Sequence, residues 1–169
     1  MEASYHLLSE RAIVALYGAD RLVFLQSLIS NDIYKLDTQP AIYSLLLSPQ
    51  GKFLHDFFII NCKDHLLIDI ENFQLEAFIT KLNMYKLRSK IEIINKSNDY
   101  KIAYSHDLPN IERAIIYEDP RFAPLGYRII ISNNNELNYN DNEYNHHRIN
   151  LGIPIGYKDL IQDKSFPLE

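Results

Sequence analysis

An α+β domain, built of antiparallel sheets flanked by helices, is the fold class this sequence predicts, on three patterns. Short apolar runs rich in Ile, Leu, Phe and Tyr recur between turn signals. Three of them, 41–47, 53–62 and 65–70, follow one another across the turns at Pro49–Gly51 and Lys63-Asp64, as an antiparallel meander does. Helical spacing appears between the runs, in Leu22, Leu25, Leu28 and Ile29 and again in Leu75, Phe78, Ile79 and Leu82. Together these predict a sheet covered by helices on one side.

Taken in order, Ser4–Leu8 reads as an edge strand and Arg11–Tyr17 as a strand closed by Gly18. Asp20 is placed to cap a helix over 20–29. Ser30-Asn31-Asp32 can bond local backbone and start a further helical turn over 33–36. After the meander, Asn72 is placed to cap the strongest helix, which ends near Tyr85-Lys86-Leu87-Arg88. Ile91-Glu92-Ile93 begins a strand. Tyr100–Ser105, Arg113–Tyr117 and Tyr127–Ser132 read as three more, with turn signals at Asp119-Pro120-Arg121 and Pro124-Leu125-Gly126. The Asn-rich tract after Ser132 is a loop. A helix is expected over 143–151, stopped by Gly152 and Pro154. Residues 156–169 have weak periodicity and read as a segment that packs on something further along the chain.

The 169 residues suggest one domain or two small lobes, with Ser97–Asp99 as the boundary. At 47% hydrophobic the chain can bury a sizeable core. The formal net charge is −5 and no Lys/Arg run is dense enough for a nucleic-acid footprint, so no direct nucleic-acid partner is expected. One cysteine, Cys62, excludes an internal disulfide or a cysteine-based metal cluster, and its apolar strand suggests an inert buried thiol. The adjacent His146-His147 pair does not share a helical face, and no metal role is assigned. No apolar run is long enough for a membrane span, so no membrane partner is expected. A cytoplasmic location is the natural reading.

The stretch that invites chemistry is 53–62. Alternation sends Leu54, Asp56, Phe58 and Ile60 to one face, and Phe53, His55, Phe57 and Ile59 to the other. Asp56 therefore sits among large apolar neighbours. A carboxylate there must find a donor, take up a proton or meet a ligand. The plain alternative is a structural aspartate bonded to amides or an arginine. His55 reads as a satisfied histidine.

Several short motifs stand in register. They are Gly18-Ala19-Asp20, Phe24-Leu25-Gln26-Ser27-Leu28, Ser30-Asn31-Asp32, Gly51-Lys52 with Asp56, and Tyr85-Lys86-Leu87-Arg88. Asp119-Pro120-Arg121, Leu125-Gly126-Tyr127-Arg128, Arg148 through Pro154, and Phe166-Pro167-Leu168-Glu169 complete the series. In this order they resemble the folate-binding YgfZ family, relatives of the glycine-cleavage aminomethyltransferase (GcvT). The resemblance implies the aminomethyltransferase fold, with antiparallel sheets around a folate channel. It divides the folate-binding domain into a first lobe over 1–97 and a second over 98–169. It implies a tetrahydrofolate-binding accessory protein, not itself a demonstrated catalyst, that supports iron–sulfur client proteins and iron–sulfur-dependent tRNA modification. The location implied is cytoplasmic in bacteria and mitochondrial in eukaryotes.

Carried over residue by residue, the resemblance gives folate-binding candidates Asn31, Asp56, Tyr85, Arg88, Arg148 and Asn150. Asp56 matches the acidic residue beside the reactive folate nitrogens. Asn31 bonds a ligand edge or holds a turn, and Arg88 pairs with a folate carboxylate, with Asp56, or with its own helix end. Asn150 stands where the aminomethyltransferase has a glutamate, which removes a charge from the pterin contact. The family's Lys-Gly-Cys-Tyr-x-Gly-Gln-Glu motif and C-terminal barrel do not follow. The expectation is a second lobe incomplete at its C-terminus, in a trimmed, split or decaying protein. A true aminomethyltransferase and a non-functional remnant are the alternatives.

Overall fold

Each face of the central strands finds a different partner, and this decides the architecture. The computed structural model of the chain describes residues 5–134 and 143–167. Its strands are β1 (His6–Leu7), β2 (Arg11–Tyr17), β3 (Ala41–Leu47), β4 (Phe53–Asn61), β5 (His65–Glu71), β6 (Glu92–Asn95), β7 (Tyr100–Ser105), β8 (Ile115–Glu118) and β9 (Tyr127–Ser132). Its α-helices are α1 (Arg21–Gln26), α2 (Leu75–Lys86), α3 (Glu143–Asn150) and α4 (Gly156–Asp159). The fold is α+β, as expected. One sheet has the order β3-β4-β5-β2-β6 and the other β1-β7-β9-β8, with every pairing antiparallel.

The expected meander is present as β3-β4-β5, and β4 carries eight buried residues in a row because both its faces are covered. On the outer face, Phe57, Ile59, Val14 and Ile68 meet Phe24 and Leu25 of α1, Ile33 and Leu36 of a 3₁₀ turn, and Phe78 and Leu82 of α2. On the inner face, Phe58, Ile60, Ile13, Ala15 and Leu67 meet Ile102, Tyr117 and Ile130 of the second sheet. The result is a layer of helices and two sheets. His55 points to the helix side, where Nδ1 lies 3.2 Å from Gln74 Oε1 and the ring stands edge-on to Phe78. Burial pushes its imidazole pKa down, against the Gln74 hydrogen bond.

Three boundaries differ from expectation. Asp20 makes no side-chain cap to α1; its Oδ2 accepts from Lys90 N at 2.7 Å, tying the helix start to the strand that follows α2. Asn72 does not cap α2, because residues 72–74 form a 3₁₀ turn whose first amide donates to Glu10 O. The segment after Gly156 packs on this chain itself: Phe53 N donates to Ser165 O and Asp163 N to Phe53 O, clamping it to the start of β4. Gly152 does end α3 with a φ of +69°, the left-handed value glycine tolerates. The Asn-rich loop over 135–142 and the terminal Leu168-Glu169 lie outside the described residues. The described residues form no barrel, and no helix among them is long and apolar enough to cross a membrane.

Candidate functional site

The layer between the sheets changes character along its length. At one end it is apolar, around Ile60, Leu67 and Ala15. At the other, strand alternation brings charged residues onto the same inner face: Arg11 from β2, Asp56 from β4, Asp69 and Glu71 from β5, and Arg128 from β9. Arg11 stands opposite Glu71 and Ile13 opposite Asp69 in the β2–β5 register. The charges are largely buried, so each needs an opposite charge or hydrogen-bond donors beside it.

Asp69 is the hub. Arg11 Nε donates to its Oδ1 at 2.6 Å, and Arg128 Nη2 and Nε donate to its Oδ2 at 2.6 and 3.1 Å. Tyr117 Oη adds a 3.4 Å bond to the same oxygen. Burial alone would raise the Asp69 pKa, yet Arg11 and Arg128 hold it below the usual carboxylate range. Arg11 also donates to Glu71 Oε1 at 2.6 Å, but for Glu71 burial outweighs that attraction and pushes its pKa up. Arg121 forms a two-pronged pair with Asp119, at 2.9 and 2.7 Å. The three guanidiniums lie over the Phe58 ring, 4.1 Å (Arg128), 4.9 Å (Arg121) and 5.6 Å (Arg11) from its centroid.

Arg11, Phe58, Glu71, Arg121 and Arg128 wall a cavity of about 220 Å³, together with Asp56, Tyr144, Ile155 and Lys158. Asp56 is 3% exposed. Its Oδ2 accepts from Tyr43 Oη at 3.0 Å and Gly156 N at 3.3 Å, while Oδ1 has no partner among the described residues. Burial and the neighbouring Asp56 push the Tyr43 phenol pKa up, so it stays protonated and donates. Gly156 is required at this approach: a Cβ there would collide with the Asp56 carboxyl and with Phe53 Cζ. Ile155 and Gly156 are held in place from behind. Arg148 donates to Ile153 O and to Asp159 Oδ2, both at 3.1 Å, and Asp159 Oδ2 accepts from Ile155 N. From outside, Glu10 Oε2 accepts from Tyr157 Oη at 2.7 Å and Lys158 Nζ at 3.2 Å.

Of the six residues proposed from the sequence, Asp56 lines this cavity and the other five are not among its walls. Asn31 holds a turn: its Nδ2 donates to Tyr43 O, and its Oδ1 accepts from Asp32 N and Lys35 Nζ. Tyr85 and Arg88 are exposed at the end of α2, with Lys81 Nζ over the Tyr85 ring. Arg148 is buried in the bonds just described, and Asn150 is exposed. Arg11, Asp69, Glu71, Arg121, Arg128 and Tyr144 were not singled out from the sequence as site residues. The strand-alternation test that marked Asp56 applies equally to Asp69, which falls on one face with Leu67. Cys62 is half-buried and burial raises its thiol pKa, in keeping with an inert group. Among the described residues no cluster of His, Cys, Asp or Glu could hold a metal ion.

No protein-family model matches the chain. Curated relatives do. The mitochondrial iron–sulfur cluster assembly factor IBA57 homologue of Mycosarcoma maydis is 32% identical over 94% of this chain and 45% of its own length. The mouse (Mus musculus) factor IBA57 is 26% identical over 96% of this chain and 54% of its own. The chain thus spans about half the length of the curated relatives it matches. Among solved structures, aminomethyltransferase T of the glycine cleavage system from Bartonella henselae superposes with a TM-score of 0.63. That match has 14% identity and covers 76% of this chain and 42% of the other. In fold the chain is of the aminomethyltransferase type, and in sequence it is similar to the IBA57 iron–sulfur cluster assembly factors.

Proposed function

We propose that this chain is a folate-binding accessory domain that serves iron–sulfur cluster assembly, and through it iron–sulfur-dependent tRNA modification. The ligand is a reduced folate and the protein partners are iron–sulfur clients. The relatives' names support the assembly role. The binding role rests on one observation, the buried Asp56 with a carboxylate oxygen that no group among the described residues satisfies, in the wall of a cavity. Leaving such an oxygen unmet costs roughly 1–3 kcal/mol or more, and a ligand N–H recovers it. Bound there, a reduced folate would supply a one-carbon carrier; the chain's own part is to present Asp56 to the ring nitrogens and to exclude water with Ile155 and Phe58. Of the remaining residues suggested by the family likeness, Arg148 supports the Ile155–Gly156 wall, while Asn31, Tyr85, Arg88 and Asn150 lie outside the lining of this cavity. The location that goes with the reading is mitochondrial in a eukaryote and cytoplasmic in a bacterium.

Titration calorimetry with 5-formyltetrahydrofolate tests the binding role. Asp56→Asn is expected to weaken binding by roughly 10- to 100-fold, the worth of a charge-assisted hydrogen bond. A folded wild-type chain that takes up no folate would sink that reading. Loss of the gene should lower iron–sulfur enzyme activities in extracts relative to a cluster-free control enzyme; unchanged ratios count against the assembly role.

A further inference from the structure

Tyr144 opens α3 and packs on Tyr104, with 4.9 Å between ring centroids. Its hydroxyl oxygen accepts from Arg121 Nη2 at 2.9 Å and from Arg128 Nη1 at 3.5 Å. A phenol carries two lone pairs and one proton, and a guanidinium only donates. Both lone pairs are therefore engaged by cations. Neither bond uses the hydroxyl's own proton. Tyr144 is 8% exposed and walls the same cavity as Asp56. The cavity is thus lined by a hydroxyl whose oxygen two guanidiniums fix and by the buried Asp56 carboxylate.

Charge narrows the ligand. Arg11, Arg121 and Arg128 are matched by Asp69, Glu71 and Asp119, and Lys158 by Glu10. Among the described residues, Asp56 is the one cavity acid with no cation in ion-pair range. The cavity holds no surplus positive charge for a phosphate or carboxylate, and it suits a neutral or cationic ring. Its volume of about 220 Å³ is below the ~300–1,000 Å³ of pockets that enclose a drug-sized molecule, so it fits one end of a larger ligand.

We infer that Tyr144 is a specificity-determining residue of this cavity. Its hydroxyl, oriented by Arg121 and Arg128, donates to a ring carbonyl oxygen of a flat heterocycle whose N–H groups meet Asp56. This rests on the folate reading and deepens it, by naming the 4-oxo edge of the pteridine as what Tyr144 selects. Tyr117 and Tyr43 do not share the role, since their hydroxyls donate to Asp69 and Asp56.

The test is a cycle of two proteins and two ligands, by calorimetry on the full chain. The ligands are 5-formyltetrahydrofolate and its 4-deoxy counterpart. The wild type is expected to bind the 4-oxo ligand about tenfold more tightly, the worth of one hydrogen bond. Tyr144→Phe is expected to erase that preference and leave the 4-deoxy affinity within roughly twofold. A merely structural role for the hydroxyl would weaken both ligands together. A Tyr144→Phe chain that keeps the preference, or loses both ligands equally, overturns the assignment. Equal wild-type affinity for the two ligands overturns it without any variant. A wild type that binds neither refutes the folate reading itself, and Tyr144's role with it.

Discussion

Asp69 shows how strongly single residues are committed here. It faces two buried guanidiniums and a phenol, and it is inaccessible to water. Removing its charge leaves Arg11 with Glu71 alone and Arg128 with a distant Asp119, 3.9 Å away. Asp69→Asn is therefore expected to cost about 3–5 kcal/mol, the range for breaking a buried pair. Urea denaturation measures it; a loss below about 1 kcal/mol, the ceiling of a typical exposed pair, would mean water reaches this cluster. The same scale shows what was legible beforehand. Asp56 was found because alternation put a carboxylate among apolar neighbours. Asp69 satisfies the same criterion, and Arg128 sits in an apolar strand in the same way. Tyr144 offered no such signal, because a tyrosine in a polar helix looks like any other until its hydroxyl is placed.

Among the elements, α2 is the best anticipated. Its stripe of Leu75, Phe78, Ile79 and Leu82 does face the sheet. What the stripe did not reveal is that the helix docks over a histidine. His55 is held neutral under α2 by burial, with Gln74 and Phe78 as neighbours. Unfolding releases it to an ordinary pKa of about 6.5. The unfolded chain then binds a proton that the folded chain refuses, so this contribution to stability is complete above pH ~6.5 and is lost as pH falls through that value toward the depressed folded pKa. Replacing His55 by Gln should flatten the fall in stability between about pH 7 and pH 5. Melting curves across that range decide it; an unchanged slope would mean His55 titrates normally in the fold. The segment after Gly156 was the least legible element. Its clamp on β4 uses backbone groups of Phe53, Asp163 and Ser165, which any side chains could accompany.

Over the whole molecule, the two sheets are joined in ways that should make unfolding a single event. β1, from the N-terminal end, pairs with β7 of the second sheet, while β2 immediately after it lies between β5 and β6 in the first. The Asp69–Arg128 pair crosses the layer between them. Melts followed by far-UV circular dichroism and by tyrosine absorbance are expected to coincide, as two-state folding requires; two separated transitions would show sheets that unfold independently. The sequence by itself determined most of the strand and helix inventory, the helix-covered meander, the family likeness and Asp56, because periodicity and turn chemistry are local and repeat along the chain. Only the tertiary structure decided that Arg11, Arg121, Arg128 and Tyr144 meet Asp56 around one cavity. They come from two strands, a turn and a helix spread between positions 11 and 144 of the chain, and nothing in local patterning specifies which face of one sheet will lie on which face of another.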